Sequence, residues 1–224
     1  MSYEPKIYVA CLADYNAGRL HGAWIDADQD PDDIEREVWA MLRESKDPNV
    51  MRRDWECRCG HKWAATVHYA ESTPNLSGEA TQWCPECGEK PLCGSPAYPS
   101  AEEWAIHDYD MGGLRIEEYT GFTEVSRLAK ALVEHGEAFV CFWDSCWSGD
   151  EVPEDIGERF QEAYRGCYET EQAFAEECAD EGYFGEIPSA LENYIDYAAM
   201  ARDLFCDGYS SVRGSEGLHV FMDC

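Results

Sequence analysis

Positive charge is scarce in this sequence: 17 Lys and Arg stand against 46 Asp and Glu in 224 residues, a formal net charge of −29. A chain this poor in cations cannot neutralise a row of phosphates, which excludes direct nucleic-acid binding. An anionic membrane surface repels it too. Long apolar runs are also missing. No stretch approaches the roughly 18 apolar residues of a membrane span, and the opening MSYEPKIYVACLADYN has neither a basic nor a long apolar leader region. The chain is expected to be soluble and cytoplasmic. G-x-S-x-G, Walker A and dinucleotide fingerprints are all absent. His107-Asp108-Tyr109-Asp110 comes nearest to an acid/base pair, but no nucleophile or phosphate loop accompanies it, so the chain reads as a non-enzyme. Its partner should be basic.

Apolar residues make up 45% of the chain and aromatics 13%, enough for packed cores in spite of the acidity. There are 12 cysteines. With two close pairs among them and no secretory leader, metal binding and free thiols are expected rather than a disulfide framework.

The charge is unevenly spread. Residues 1–50 carry 11 acids and 5 bases, residues 51–98 carry 6 and 5, residues 99–152 carry 12 and 3, and residues 153–224 carry 17 and 4. The near-neutral segment 51–98 holds the cysteine pairs, which marks it as a module inserted into an acidic chain. The division expected is an acidic α+β domain over 1–50, the insertion over 51–98, a second acidic α+β domain over 99–152, and a mostly helical acidic domain with a terminal hairpin over 153–224.

Within these blocks, residues 7–13 and 19–25 read as strands around a turn at Asn16-Ala17-Gly18. A helix follows with Asp30 as cap and Pro31 in its first turn, Ile34, Val38, Met41 and Leu42 on one face, and Asp47-Pro48 at its end. Strands are predicted near 104–106, 114–116 and 138–143. Helices are predicted from Thr123 with Val125, Leu128, Leu132 and Val133 on one face, and near 154–165, 170–181 and 188–205, the last with Pro188 in its first turn. A hairpin joins 209–213 to 218–222 through Gly214-Ser215-Glu216-Gly217.

Cys57-Arg58-Cys59-Gly60 and Cys84-Pro85-Glu86-Cys87-Gly88 are two turn-borne cysteine pairs, each followed by glycine. That is how a zinc ribbon presents four thiolates tetrahedrally. The second pair has the usual C-x-x-C-G spacing and the first is one residue shorter. The predicted ligands are Cys57, Cys59, Cys84 and Cys87, with His61 or Cys93 as substitutes. Four thiolates leave no open coordination position, so the zinc is read as structural. Arg52, Arg53, Arg58 and Lys62 cluster here, and the alternative reading of the chain is a zinc-ribbon interaction or regulatory protein whose acidity serves solubility.

Asp26, Asp28, Asp30 and Glu37 match positions 1, 3, 5 and 12 of an EF-hand loop, but Pro31 stands where glycine must make the sharp turn, so they read as acids at a capped helix start. The other acids form rows. Glu154, Glu158 and Glu162 repeat at i,i+4, as do Glu176 with Asp180 and Glu177 with Glu181; such like-charge pairs cost a few tenths of a kcal/mol each. Outside the insert the net charge is −28, matching the charge on roughly 48 Å of duplex DNA at one charge per about 1.7 Å. Carboxylates held on a folded scaffold can occupy a cationic DNA groove in place of phosphates. The expected binding acids are Asp32, Asp33, Glu35 and Glu37; Glu117, Glu118 and Glu124; Glu154, Asp155, Glu158 and Glu162; and Glu176, Glu177, Asp180 and Glu181.

Ile7-Tyr8-Val9-Ala10-Cys11-Leu12-Ala13-Asp14-Tyr15-Asn16 running into Leu20-His21-Gly22-Ala23-Trp24-Ile25-Asp26, then Glu103-Trp104-Ala105-Ile106-His107-Asp108-Tyr109-Asp110, and Asn193-Tyr194-Ile195-Asp196-Tyr197 with Ala201-Arg202-Asp203-Leu204, resemble the ArdA antirestriction proteins. The resemblance covers the chain outside 51–98. It implies an elongated, curved α+β chain of three small domains that dimerises and imitates bent duplex DNA. It also implies inhibition of type I restriction-modification enzymes, through the DNA groove of their specificity and methyltransferase subunits, by a protein carried on mobile genetic elements. Tyr194, Asp196, Tyr197, Arg202, Asp203 and Leu204 fall in the region called the antirestriction motif, which by this resemblance supports dimer contacts.

Overall fold

The computed structural model describes residues 3–67, 83–147, 151–185, 187–188, 190–191 and 194–222, without the side chains of Val67 and Cys93. Among the described residues, helices and three small antiparallel sheets make the fold α+β. The described residues fall into two compact units, one within Ile7–Ile25 and Asp32–Tyr109, the other within Met1–Lys6, Asp26–Pro31 and Asp110–Cys224.

In the first unit, Ile7, Val9 and Cys11 alternate into the core along strand β1 (Lys6–Cys11), each fully buried. The predicted strand over 7–13 stops at Cys11, because helix α1 (Leu12–Asn16) turns the buried Asp14 toward Arg19 and His21. The return strand β2 (Gly22–Asp26) consequently begins later than 19. Gly22 is required there: a Cβ would stand 2.5 Å from the Val9 carbonyl oxygen. Helix α2 (Pro31–Arg43) buries Ile34, Val38, Met41 and Leu42, as its spacing predicts. It ends at Arg43, short of Asp47-Pro48, because the following turn presents the Lys46 amide to Asp14.

The cysteine segment forms a second sheet. Strands β3 (Val50–Glu56) and β4 (Lys62–Val67) pair as a hairpin, while β5 (Cys93–Gly94) and β6 (Tyr98–Ser100) flank β3 on its other edge. Strand β7 (Trp104–Asp110) then joins β1, giving the order β2-β1-β7.

In the second unit, residues 114–116 form no strand; Leu114 is buried from an irregular segment behind the turn at Gly112-Gly113. Helix α3 (Phe122–His135) starts after Gly121, so Thr123 lies inside it and does not cap it. Val125, Leu128 and Leu132 are buried, but Val133 points outward. Residues 138–143, predicted as a strand, lie in helix α4 (Glu137–Ser145), where Ala138, Phe139, Cys141 and Phe142 share one buried face. A short apolar run carries no period that separates these two outcomes.

Helix α5 is shorter than predicted (Ile156–Ala163), and the chain then enters strand β8 (Tyr164–Tyr168), which the sequence reading missed. Helix α6 (Glu171–Asp180) is capped by Thr170, whose hydroxyl accepts from the Ala173 amide at 3.1 Å. Helix α7 (Tyr197–Asp207) begins at its Asp196 cap and not at Pro188. The hairpin of β9 (Tyr209–Arg213) and β10 (Leu218–Met222) forms with the predicted boundaries, and β10 also pairs with β8. Phe139, Phe142, Phe160 and Phe221 pack ring on ring over one part of this sheet. Phe174, Ala175, Cys178, Ala201, Leu204 and Val220 form a second core between α6 and α7.

Candidate functional site

The two cysteine turns meet in space. Sγ of Cys57 lies 3.5 Å from that of Cys87, Sγ of Cys59 lies 3.6 Å from that of Cys84, and all four sulfurs fall within 4.8 Å of one another. A metal–sulfur distance of about 2.3 Å in a tetrahedron requires sulfurs roughly 3.8 Å apart, so the donor set fits an ion, whereas a disulfide needs about 2.05 Å. Backbone hydrogen bonds shape each turn: Cys57 N–H donates to His61 and Gly60 N–H to Cys57, while Cys84 N–H donates to Glu89 and Gly88 N–H to Cys84. Gly60 and Gly88 take φ of 90° and 71°, which other residues rarely adopt.

The His61 ring is not part of the cluster and stacks on Trp63; the Cys93 side chain lies outside the described residues. The sulfurs are not equivalent. Burial opposes ionisation of Cys84, but the amides of Cys87 and Glu86 together with the neighbouring Cys59 and Cys87 side chains lower its thiol to about 7. Cys87, although an amide at Glu89 favours its thiolate, is pushed up to about 12 by the neighbouring Cys57 sulfur and desolvation. Among the described residues of 51–98, the buried apolar side chains are Cys57, Ala65 and Cys84, too few for a core. Four sulfurs at this spacing could hold a metal ion that links the two turns.

The module is fastened to α2 by cations on rings. The Arg52 guanidinium lies 3.3 Å above the Trp39 ring and donates to the Ala64 carbonyl at 2.9 Å. Desolvation disfavours its charge, and Tyr98, Glu102, Glu35 and Asp54 offset only part of that, so its pKa is lowered. Arg43 covers Tyr98 at 4.0 Å, and the Tyr98 hydroxyl donates to Asp54 at 2.6 Å. Trp39, four residues after Glu35, donates its indole N–H to that carboxylate at 2.9 Å. Sequence reading missed these contacts, although the Glu35–Trp39 spacing on one helix was a usable signal.

A second group, Cys11, Asp14 and His21, also brings its ligand atoms within 4.8 Å. Asp14 is already occupied: it accepts from Arg19 Nε at 2.9 Å and the Lys46 amide at 3.2 Å, and lies 2.7 Å from His21 Nδ1. Burial opposes its ionisation, but hydrogen bonds from His21, Ser45 and Arg19 hold the carboxyl far below the usual range. This is a structural hub. The EF-hand acids do not converge, since Asp26 pairs with Lys6 and Asp30 with Lys130.

The predicted binding acids stand at or near the surface. On α2, Asp32, Glu35 and Glu37 are exposed and the half-buried Asp33 pairs with Arg36. Glu117 and Glu118 lie in the loop before α3 and not on a helix, and Glu124 is in the first turn of α3. Glu154 precedes α5, so only Glu158 and Glu162 of that row lie on the helix. Glu154 pairs with Arg127 at 3.0 Å and Asp155 with Arg159 at 2.9 Å. On α6, Glu176 accepts from Gln172 and Glu177 from the Tyr168 hydroxyl, while Asp180 and Glu181 close the helix.

In the motif region, Tyr194 is 84% exposed, Asp196 caps α7, Tyr197 is half-buried, Leu204 joins the core, and Arg202 and Asp203 face solvent. No helix among the described residues is long and apolar enough to cross a membrane.

No curated protein matches the chain. The antirestriction protein (ArdA) family matches residues 7–216, a span that runs through the cysteine module. With nearly its whole length covered, the chain belongs to the ArdA antirestriction family.

Proposed function

We propose that this protein inhibits type I restriction-modification enzymes, the targets of its family, by occupying the DNA-binding groove of their specificity and methyltransferase subunits with carboxylates in the place of phosphates. The observation that carries the reading is the distribution of exposed acids without cationic partners. Among the described residues, Asp32, Glu117, Glu158, Glu162, Asp180 and Glu181 have no basic side chain within 4.0 Å, so their charge is free to act on a basic partner. The protein acts by binding and not by chemistry. Competition with DNA for a type I methyltransferase tests this, and inhibition should weaken as salt rises.

Residues 51–98 are proposed as an insertion that folds around one structural zinc held by Cys57, Cys59, Cys84 and Cys87. When bound, the ion cross-links two turns and offers no open position. Homodimerisation through the motif region is also proposed. Exposed Tyr183, Phe184, Leu191, Tyr194 and Met222, and a cavity of about 700 Å³ bordered by Tyr183, Phe184, Met200 and Tyr209, supply apolar surface there.

A further inference from the structure

The cysteine module and the acidic helix α2 are joined by a continuous chain of contacts. β3 ends at Glu56, immediately before Cys57, and the Leu92 amide following the second cysteine turn donates to the Glu56 carbonyl at 2.8 Å, so both turns are tied to the end of this strand. Four residues back along it, Arg52 is buried, with its guanidinium on the Trp39 ring and one nitrogen on Ala64 of β4. Arg52 Nε is buried and makes no hydrogen bond, so the guanidinium is held by the ring face and by the Ala64 carbonyl. The Trp39 indole, fixed from above, donates to Glu35. That carboxylate is one of the acids at the exposed face of α2.

We propose that Arg52 is a positioning residue that orients Glu35 for the target through Trp39, and that metal occupancy of the four-cysteine cluster sets how firmly it does so. This rests on the reading of α2 as part of the binding surface. Loss of the ion leaves β3 and β4 without the link that replaces their core, the hairpin loosens, and Arg52 no longer holds the indole. Glu35 then samples its rotamers, and binding must restrict them again. A zinc module that binds no target thus still alters the strength of inhibition. A lysine at 52 keeps the charge but lacks the planar group that stacks on an indole.

The test uses the full chain loaded with zinc, and reads the Trp39 indole N–H by NMR hydrogen exchange alongside affinity for a type I methyltransferase. Trp39→Phe assigns the signal. Chelation of zinc, and Arg52→Lys with zinc retained, should each speed indole exchange about tenfold or more. Glu35→Gln should weaken binding about two- to fivefold in the native background, and should have little further effect in the Arg52→Lys background. Indole exchange unchanged by chelation overturns the coupling to the metal, and additive effects of the two substitutions overturn the positioning role. If no variant binds the methyltransferase, the inhibitor reading itself fails, while the indole exchange still decides the coupling.

Discussion

Asp14 is wholly buried, and its neighbours leave it no option but ionisation: Arg19 and the Lys46 amide donate to it and His21 stands within hydrogen-bond reach. Removing the charge of this buried carboxylate weakens its contacts with Arg19, His21 and the Lys46 amide together, so Asp14→Asn should cost about 3–5 kcal/mol in urea denaturation. Glu137 does similar service in the second unit. It accepts from the amides of Ser215 at 2.7 Å and Glu216 at 3.0 Å, with His219 Nε2 at 3.4 Å, which pins the loop of the β9–β10 hairpin.

Those amides lower the Glu137 carboxyl to about 2. Because the folded value lies below the unfolded one of about 4.3, its contribution is complete above roughly pH 5 and is lost as pH falls toward 2. Glu137→Gln should therefore cost about 2–3 kcal/mol at pH 7 and much less near pH 2, read as the difference between the two unfolding curves. Neither hub was legible in the sequence. An acid among 46 looks like any other until the fold shows which ones turn inward. The cysteines were legible, because the spacing of their two turns is itself a geometric specification. Cys84→Ser should abolish the binding of one zinc per chain, measured by elemental analysis, and should speed amide exchange in β3 and β4 while leaving β8–β10 protected.

At the scale of elements, sequence and structure agree where periodicity is long and punctuated. α2 shows its apolar face at Ile34, Val38, Met41 and Leu42, and the terminal hairpin shows its turn at Gly214–Gly217. They part where the apolar run is short. Residues 138–143 form a helix because Phe139 and Phe142 join Phe160 and Phe221 in a core that sequence neighbours alone do not reveal. β8, with Gly166 and Cys167 between tyrosines, forms because β10 pairs with it.

The acidic rows belong to this scale as well. Acids at i,i+4 are about 6 Å apart along a helix, against one charge per about 1.7 Å of duplex, so no single row carries a DNA-like charge density. Reversing one exposed acid, as in Glu162→Lys, should change inhibition by no more than about 1 kcal/mol. Reversing Glu158 and Glu162 together with Glu176 and Asp180 should reduce it cumulatively, while unfolding curves move little. Titration of a type I enzyme with each variant checks both expectations.

Over the whole molecule, a net charge of −29 that first excluded nucleic acid as a ligand becomes the proposed means of imitating it. The cysteine segment contributes little of that charge, and its four sulfurs lie close enough together to hold a metal ion. The family was legible in motifs drawn from three separate parts of the chain, and its match spans residues 7–216. The tie between the module and α2 was not, because it runs through a cation–ring contact that neither partner signals alone.

The central claim is that carboxylates take the place of phosphates in a DNA groove, and competition binding addresses it most directly. The full chain and an unlabelled DNA duplex would each be titrated against a type I methyltransferase bound to labelled DNA, at low and at physiological salt. The account predicts that the protein displaces the DNA competitively and that its affinity falls steeply as salt rises. Displacement that is indifferent to salt, or binding that leaves the labelled DNA in place, would contradict it.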